Sequence, residues 1–433
     1  MRVQGKPRVL GRSRGAIACA GVPATPRAAS ATSSPRPSFV IATIALATVC
    51  SVFPGLASGS LAVQASEDFG ISEGAWGWTL SAFFLGSASS SVILGRLAQR
   101  IGPRRQLLMT TLGSGLVQLL IATTARSFTA VLVLLAIAGC INAAAQTAVN
   151  LALSQANLPR LGVAVATKQS AMPAASMLGG LAVPALALTL GWRWAYGMGF
   201  VVAMIAFVGV WWLVAPGVIP ATPTERAIES SDRLLLFVAF VSFLLAYTSG
   251  SINAWLVASG VDAGLSEGAA GFALSAAAAF GISLRLFAGT RFDRSTVPPL
   301  AAAARVFVFG IIGFLLLMVR SPGLHVAAGF LAFGGGWIWP AFTNFAIVNA
   351  NPRSAARATG MTQTGVYLGV MAAPATTGSL VDRVGYPAMW LVTACVGVGA
   401  VAGLLVAAPH FRRPTPLGDE TSSGSDDAGR QGS

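Results

Sequence analysis

Runs of about twenty or more mostly apolar residues recur along the chain, separated by short polar links. They fall at about 38–64, 74–97, 106–124, 128–155, 161–190 and 192–214, and then at about 233–259, 268–289, 298–319, 324–350, 357–380 and 386–407. A helix needs roughly 20 residues to cross about 30 Å of hydrocarbon, so each run is long enough for one crossing. The pattern predicts an all-α membrane protein of twelve spans. It breaks at 216–232, where Pro220, Pro223, Glu225, Arg226 and Glu229 make the only mid-chain polar linker and mark a boundary. The expected organisation is an N-terminal tail (1–37), a six-helix half (38–215), the linker (216–232), a second six-helix half (233–408) and a C-terminal tail (409–433). The first tail is rich in Arg, Ser, Ala and Pro, holds no acidic residue and lacks the apolar core of a secretory signal. Both tails are expected to be disordered and cytoplasmic.

The two halves repeat each other at a constant offset of 194 positions. GISEGAWG at 70–77 returns as GLSEGAAG at 264–271, and the basic turn that begins at Gly95 returns at Gly289. Arg100 matches Arg294, Asn150 matches Asn344, Asn157 matches Asn351, Gln169 matches Gln363 and Gly191 matches Gly385. One offset over several separated regions implies a parallel repeat, two halves of the same orientation related by an axis along the membrane normal. The repeated Ser-Glu-Gly has a local reason as well. Ser72 and Ser266 are placed to cap the incoming helix, with Glu73 and Glu267 at its positive end.

Composition sharpens this picture. Of the 433 residues 55% are hydrophobic and only 10% charged, far from the roughly 25% charged of a soluble domain. The net charge of +14 would suggest nucleic acid in a soluble protein, but here the arginines sit in loops and tails and read as a topology signal. Counted by alternate loops, 21 of the 28 Lys and Arg fall on the side of the termini, while the other side holds Arg126, Arg193, Arg320 and Arg383. Both termini and the linker are therefore expected in the cytoplasm, and Trp76, Trp78, Trp192, Trp194, Trp255 and Trp390 stand near the outer edge as an aromatic belt would. Very few lysines amid abundant Ala, Gly, Arg and Pro point to a bacterial inner membrane. Cys19, Cys50, Cys140 and Cys395 lack paired spacing, so neither a disulfide framework nor a metal site is implied. His325 and His410 stand at helix ends, and no nucleophile set or phosphate-binding loop appears. Neither an enzyme nor a cofactor is expected.

The loop between spans 2 and 3, GRLAQRIGPRRQLL, resembles the signature G-x-L-A-D-R-x-G-R-R of the major facilitator superfamily of secondary transporters, with Gly95, Leu97, Ala98, Arg100, Gly102, Arg104 and Arg105 in place. The resemblance implies that fold, with gating loops formed by Gly95, Gln99, Arg100, Gly102, Arg104 and Arg105 in one half and Gly289, Asp293 and Arg294 in the other. Gln99 stands where the family has a carboxylate, whereas Asp293 keeps it, so the latches are unequal. Asp293 is expected to face the start of span 5, braced by Arg285 from two turns away. The L-x-x-x-R pattern of proton-driven drug antiporters is broken, since Leu135 is followed by Gly139. Span 5 is loosely similar to that of bacterial cyanate and nitrate-type permeases.

Polar groups in hydrocarbon are costly and mark a pathway or an interhelical bond. Asn142, Gln146 and Asn150 recur every four residues on one face of span 4, extended by Ser154, and are read as cavity-lining. Span 10 carries Gly334-Gly335-Gly336-Trp337-Ile338-Trp339-Pro340 about halfway across, a broken helix suited to a binding site and a hinge. Trp337 and Trp339 lie two apart on a helix, so only one of them is expected to face the cavity. Lys168 lies roughly 10 Å inside span 5, beside Gln169; it serves either as a cation for an anionic solute or as a snorkelling residue. Arg305 in span 9 reads as snorkelling. Asn253, with Tyr247 and Ser251, in span 7, Asn344 in span 10, and Gln363 and Tyr367 in span 11 complete the cavity candidates. No Asp or Glu falls in the middle of any span, which favours anionic or neutral solutes over cations. The expected partners are a small-molecule substrate, the lipid bilayer and a coupling proton, with no nucleic acid, and the expected state is a monomer. Rival readings are proton-linked drug or metabolite efflux and a non-transporting membrane sensor on the same fold.

Overall fold

Residues 37–155, 161–214, 230–291, 297–351 and 355–411 are described by a computed structural model, and no strand occurs among them. The first half consists of α1 (Pro37–Ser60), α2 (Ala62–Phe69), α3 (Glu73–Trp76), α4 (Trp78–Ile101), α5 (Pro103–Thr124), α6 (Phe128–Gln155), α7 (Leu161–Ala182) and α8 (Arg193–Leu213). The second half consists of α9 (Asp232–Asp262), α10 (Glu267–Arg291), α11 (Pro299–Leu316), α12 (Pro322–Gly336), α13 (Trp339–Ala350) and α14 (Ala355–Ala407). Ten described helices are long and apolar enough to cross a membrane. The last of them, Arg357–Phe411 with 55 residues, is twice the needed length and turns at Gly385, where φ is 80° and ψ 176°. It therefore holds spans 11 and 12. The 24-residue α4 stands at predicted span 2. Span 1 is continued past a break at Leu61 by α2, and span 10 is divided into α12 and α13.

The repeat written in the sequence is also present in the backbone. Gly70 and Gly264 have φ of 62° and 98°, and Gly191 and Gly385 have φ of 100° and 80°. Both pairs are separated by the offset of the repeat, and glycine takes the left-handed region without the steric cost of a Cβ. The two serine caps pair likewise. Ser72 Oγ accepts from the Ala75 amide at 3.0 Å, and Ser266 Oγ from the Ala269 amide at 3.3 Å.

Within the halves, α4 packs on α6, α5 on α8, α9 on α14 and α11 on α12; between them, α7 meets α10, α4 meets α14 and α1 meets α9. Small residues permit these approaches. A methyl group at Gly139 of α6 would stand 1.8 Å from the Phe83 carbonyl oxygen of α4, and one at Gly59 would stand 1.9 Å from that of Asn253. Large apolar side chains such as Ile93, Val201, Trp212 and Phe272 are exposed on the outside of the bundle. Lipid rather than water suits that surface. The face where α1 begins and α9 and α14 enter is called the terminal face below.

Candidate functional site

A cavity of about 650 Å³, counted with its open mouth, lies where the halves meet. Leu56 of α1, Phe84 of α4, and Gln169 and Met172 of α7 line it from the first half. The second half contributes Ser242, Ser249 and Asn253 of α9, the segment holding Trp337, Trp339, Pro340, Thr343, Asn344 and Ile347, and Thr362, Gln363, Val366 and Val370 of α14. Every one of these side chains is neutral. On α9 and α14 the lining residues recur at helical spacing, so one face of each helix is turned inward.

The break in span 10 shapes the wall. Trp337 leaves the helix with φ −122° and ψ 12°, and α13 restarts at Trp339 with Pro340 in its first turn, where the missing N–H costs nothing. Both tryptophans consequently line the cavity, a correction to the expectation that only one could. That expectation assumed an uninterrupted helix, in which residues two apart diverge. The indole of Trp339 donates to Ser249 Oγ at 3.0 Å. Asn253 accepts from Ser176 Oγ at 2.6 Å, across the two halves, and donates to the Ser249 carbonyl at 2.8 Å.

Of the residues read from the sequence as cavity-lining, the structure brings Gln169, Asn253, Trp337, Trp339, Asn344 and Gln363 together. Tyr367 is buried one step behind, its ring 6.3 Å from that of Phe84. The amides of α6 stand elsewhere. Asn142, fully buried, donates to Ser87 Oγ at 3.2 Å and accepts from Ser51 Oγ at 3.2 Å and Gln146 Nε2 at 3.3 Å, tying α6 to α4 and α1. Asn150 is exposed and off the lining. The small residues of α1 and α4 bring serine hydroxyls within reach, so these amides are satisfied between helices. Lys168 is half-buried beside Gln169 and off the lining, and Arg305 is exposed on α11. Tyr247 bonds with Thr376 at 2.8 Å and Ser251 with the Tyr247 carbonyl at 3.0 Å, both outside the lining. Reasoning from the sequence missed Ser242, Ser249 and Thr362, whose signal was their helical register with Asn253 and Gln363.

Arg285 is buried, only 2% exposed, and its guanidinium donates to the carbonyl oxygens of Gln169, at 2.6 Å, and of Trp337. In the core it joins α10 to α7 and to the break in span 10, while Asp293, which it was expected to brace, falls among residues that are not described. Asp293, Arg294 and the side chain of Gln99 lie outside the described residues. In the basic turn, Gly102 has φ 84° at the start of α5, and Arg104 donates to the Trp211 carbonyl at 2.6 Å with its guanidinium 5.5 Å from that indole. Arg100 and Arg105 are exposed, Gly95 is half-buried and Gly289 packs on Ala166 of α7.

Away from the terminal face the halves are latched. Asp382 accepts from Ser72 Oγ at 2.9 Å and from the Gly74 amide at 3.3 Å, Tyr386 donates to Glu73, and Gln64 donates to Glu267. Burial pushes the Glu73 carboxyl above its usual range; the Tyr386 hydroxyl opposes this, and Asp262, Asp382 and Glu67 add to it. The half-exposed lining residues Gln169, Asn344 and Gln363 stand nearer the terminal face than the buried Leu56 and Phe84, so the mouth lies on that side.

The pattern of the Major Facilitator Superfamily matches residues 38–374 and 235–427. The chain belongs to this superfamily. Among curated proteins no sequence match was found. The chain is similar in structure to the human organic anion transporter MFSD10 (TETRAN), with a TM-score of 0.65, 15% identity and coverage of 85% of this chain and 100% of that one. It is also similar to a peptide transporter POT in complex with alafosfalin, with a TM-score of 0.67, 14% identity and coverage of 86% and 96%. At such identities the likeness speaks for the fold. As a major facilitator protein the chain is an integral membrane transporter of small molecules, and not an enzyme.

Proposed function

We propose that this protein carries a small anionic or neutral solute across a bacterial inner membrane by alternating access, residues 38–215 and 233–408 rocking as two halves about the cavity, with 216–232 as their cytoplasmic linker. One observation carries the choice of solute. The wall of the cavity is built of amides, hydroxyls and indoles, with Arg285 directly behind it and every lining side chain neutral. A cation entering there would meet no opposite charge, while an anion would meet a positive potential. With both termini in the cytoplasm the structure is inward-facing: the mouth opens to the cytoplasm and the latches of Asp382, Tyr386 and Glu267 close the outside. The protein works as a monomer, since each half supplies part of the cavity.

Drug efflux is the weaker reading. An arginine cannot occupy position 139 of α6, where even a methyl group would meet the Phe83 carbonyl at 1.8 Å. The test is uptake into proteoliposomes of radiolabelled small carboxylates, inorganic anions, neutral amides and organic cations, with and without a proton gradient. Uptake of an anion or neutral solute is expected, and a gradient that drives it identifies the proton as coupling ion. Transport of cations or hydrophobic dyes alone would sink the proposal.

A further inference from the structure

Arg285 is unusual in having a full charge, deep burial and, among the described residues, no carboxylate partner. The ion pairs among the described residues are Arg193–Asp68, Arg320–Asp262 and Arg357–Asp232, all at the ends of helices. An unpaired cation inside a membrane protein is costly and persists where it has a task. Its two acceptors are both backbone carbonyls left without a helical donor, one by a proline inside α7 and one by the break in span 10. Gln169 precedes Pro173 by four residues, and because proline has no N–H the Gln169 carbonyl has no helical donor. The Trp337 carbonyl is left over where α12 ends, since the Ala341 amide turns to Ile338 instead. The guanidinium also lies 5.4 Å from the Trp337 ring. Gln169 belongs to the first half and Arg285 to the second, so this contact spans the interface that rocking must remodel. Both Gln169 and Trp337 line the cavity.

We propose that Arg285 receives the negative charge of the solute and that its bond to the Gln169 carbonyl is a clamp between the halves which the solute releases. The proposal rests on the anionic reading above. The ligand class is a small oxyanion, a carboxylate foremost, because two oxygens in one plane match the guanidinium fork. An oxyanion reaching the wall offers the same donors a full negative charge and two parallel acceptors, where the carbonyls of Gln169 and Trp337 offer only dipoles, and so displaces them. The empty carrier is held by the clamp, and the loaded carrier is free to rock.

The experiment measures binding of formate, acetate, oxalate, nitrate and the neutral control acetamide to the purified protein, by thermal stabilisation and by tryptophan fluorescence. The variants are Arg285→Gln, Arg285→Lys and Pro173→Ala, the last returning an amide donor to the Gln169 carbonyl within α7. An oxyanion is expected to bind the native protein, to bind Arg285→Gln at least about tenfold more weakly, and to bind Pro173→Ala about two- to tenfold more tightly, since a competing acceptor is withdrawn. Arg285→Lys, which keeps the charge without the fork, is expected to bind at an intermediate level. A purely structural role for Arg285 would not tighten binding in Pro173→Ala, and that variant keeps the proposal testable if Arg285→Gln fails to fold. Unchanged oxyanion affinity in Arg285→Gln, or no gain in Pro173→Ala, overturns the clamp and leaves the anionic reading standing. Binding of acetamide alone overturns both.

Discussion

At the residue scale, the same side-chain types perform two different tasks. Asn142 and Gln363 are both amides in apolar runs, yet one is enclosed by Ser51, Ser87 and Gln146 and the other faces the cavity. Asn142→Ala is expected to cost about 0.6–1.7 kcal/mol of stability, the range of interhelical hydrogen bonds in membranes, while leaving KM for transport unchanged; thermal melts and uptake kinetics check the two halves of this statement. Trp339→Phe should do the opposite. It removes the indole bond to Ser249 and narrows a ring on the cavity wall, so KM should rise several-fold, by more than the thermal melt falls. That a polar residue sits in hydrocarbon was legible from the sequence. Which way it points depends on the rotation of each helix against its neighbours, and a row at four-residue spacing reads the same whether it meets serines or a cavity.

At the element scale, prolines and glycines inside the helices shape the surroundings of the cavity. Pro173 and the Trp337 break free the carbonyls that hold Arg285, and Gly385 turns α14 back across the bundle. Gly385→Ala places a Cβ at φ 80° and ψ 176°, a region almost closed to other residues, and a loss of roughly 1–3 kcal/mol is expected in thermal denaturation. The turn at Gly385 also carries Asp382 and Tyr386 to Glu73. Closing this latch buries Glu73 and raises its pKa above that of the open, solvated state. The closed state then holds the proton more tightly, so closure strengthens as pH falls through the raised value and weakens as pH rises. Tyr386→Phe removes a bond that favours the ionised carboxylate, and the pH midpoint should move upward. Spin-label distances between α3 and the Gly385 turn, followed over pH, would record this; closure promoted by rising pH would refute it. Glycines and prolines announced these breaks in the sequence. The partner of each freed carbonyl was hidden, because Arg285 and Gln169 are 116 positions apart.

At the scale of the whole molecule, the side-chain latches between halves that occur among the described residues lie away from the terminal face, and the mouth of the cavity lies on it. In a background lacking native cysteines, Asn344→Cys and Gln363→Cys, both half-exposed on the lining, should react quickly with a membrane-impermeant thiol reagent in inside-out vesicles and slowly in right-side-out vesicles. The reverse order would contradict the inward-facing assignment, or the orientation read from the basic loops. A transported anion should slow labelling at Asn344→Cys by occupying the cavity.

The sequence by itself determined the class, the spans, the repeat and the superfamily, because hydrocarbon thickness sets the length of each apolar run and a duplicated half keeps its register over 194 positions. The paired positive-φ glycines and paired serine caps are that register seen in the backbone. Only the tertiary structure decided which polar groups face the cavity, that both Trp337 and Trp339 do so, and that Arg285 is bound to two backbone carbonyls. Those outcomes depend on where helices bend and how they rotate against one another, and each is settled by contacts between residues far apart in the chain.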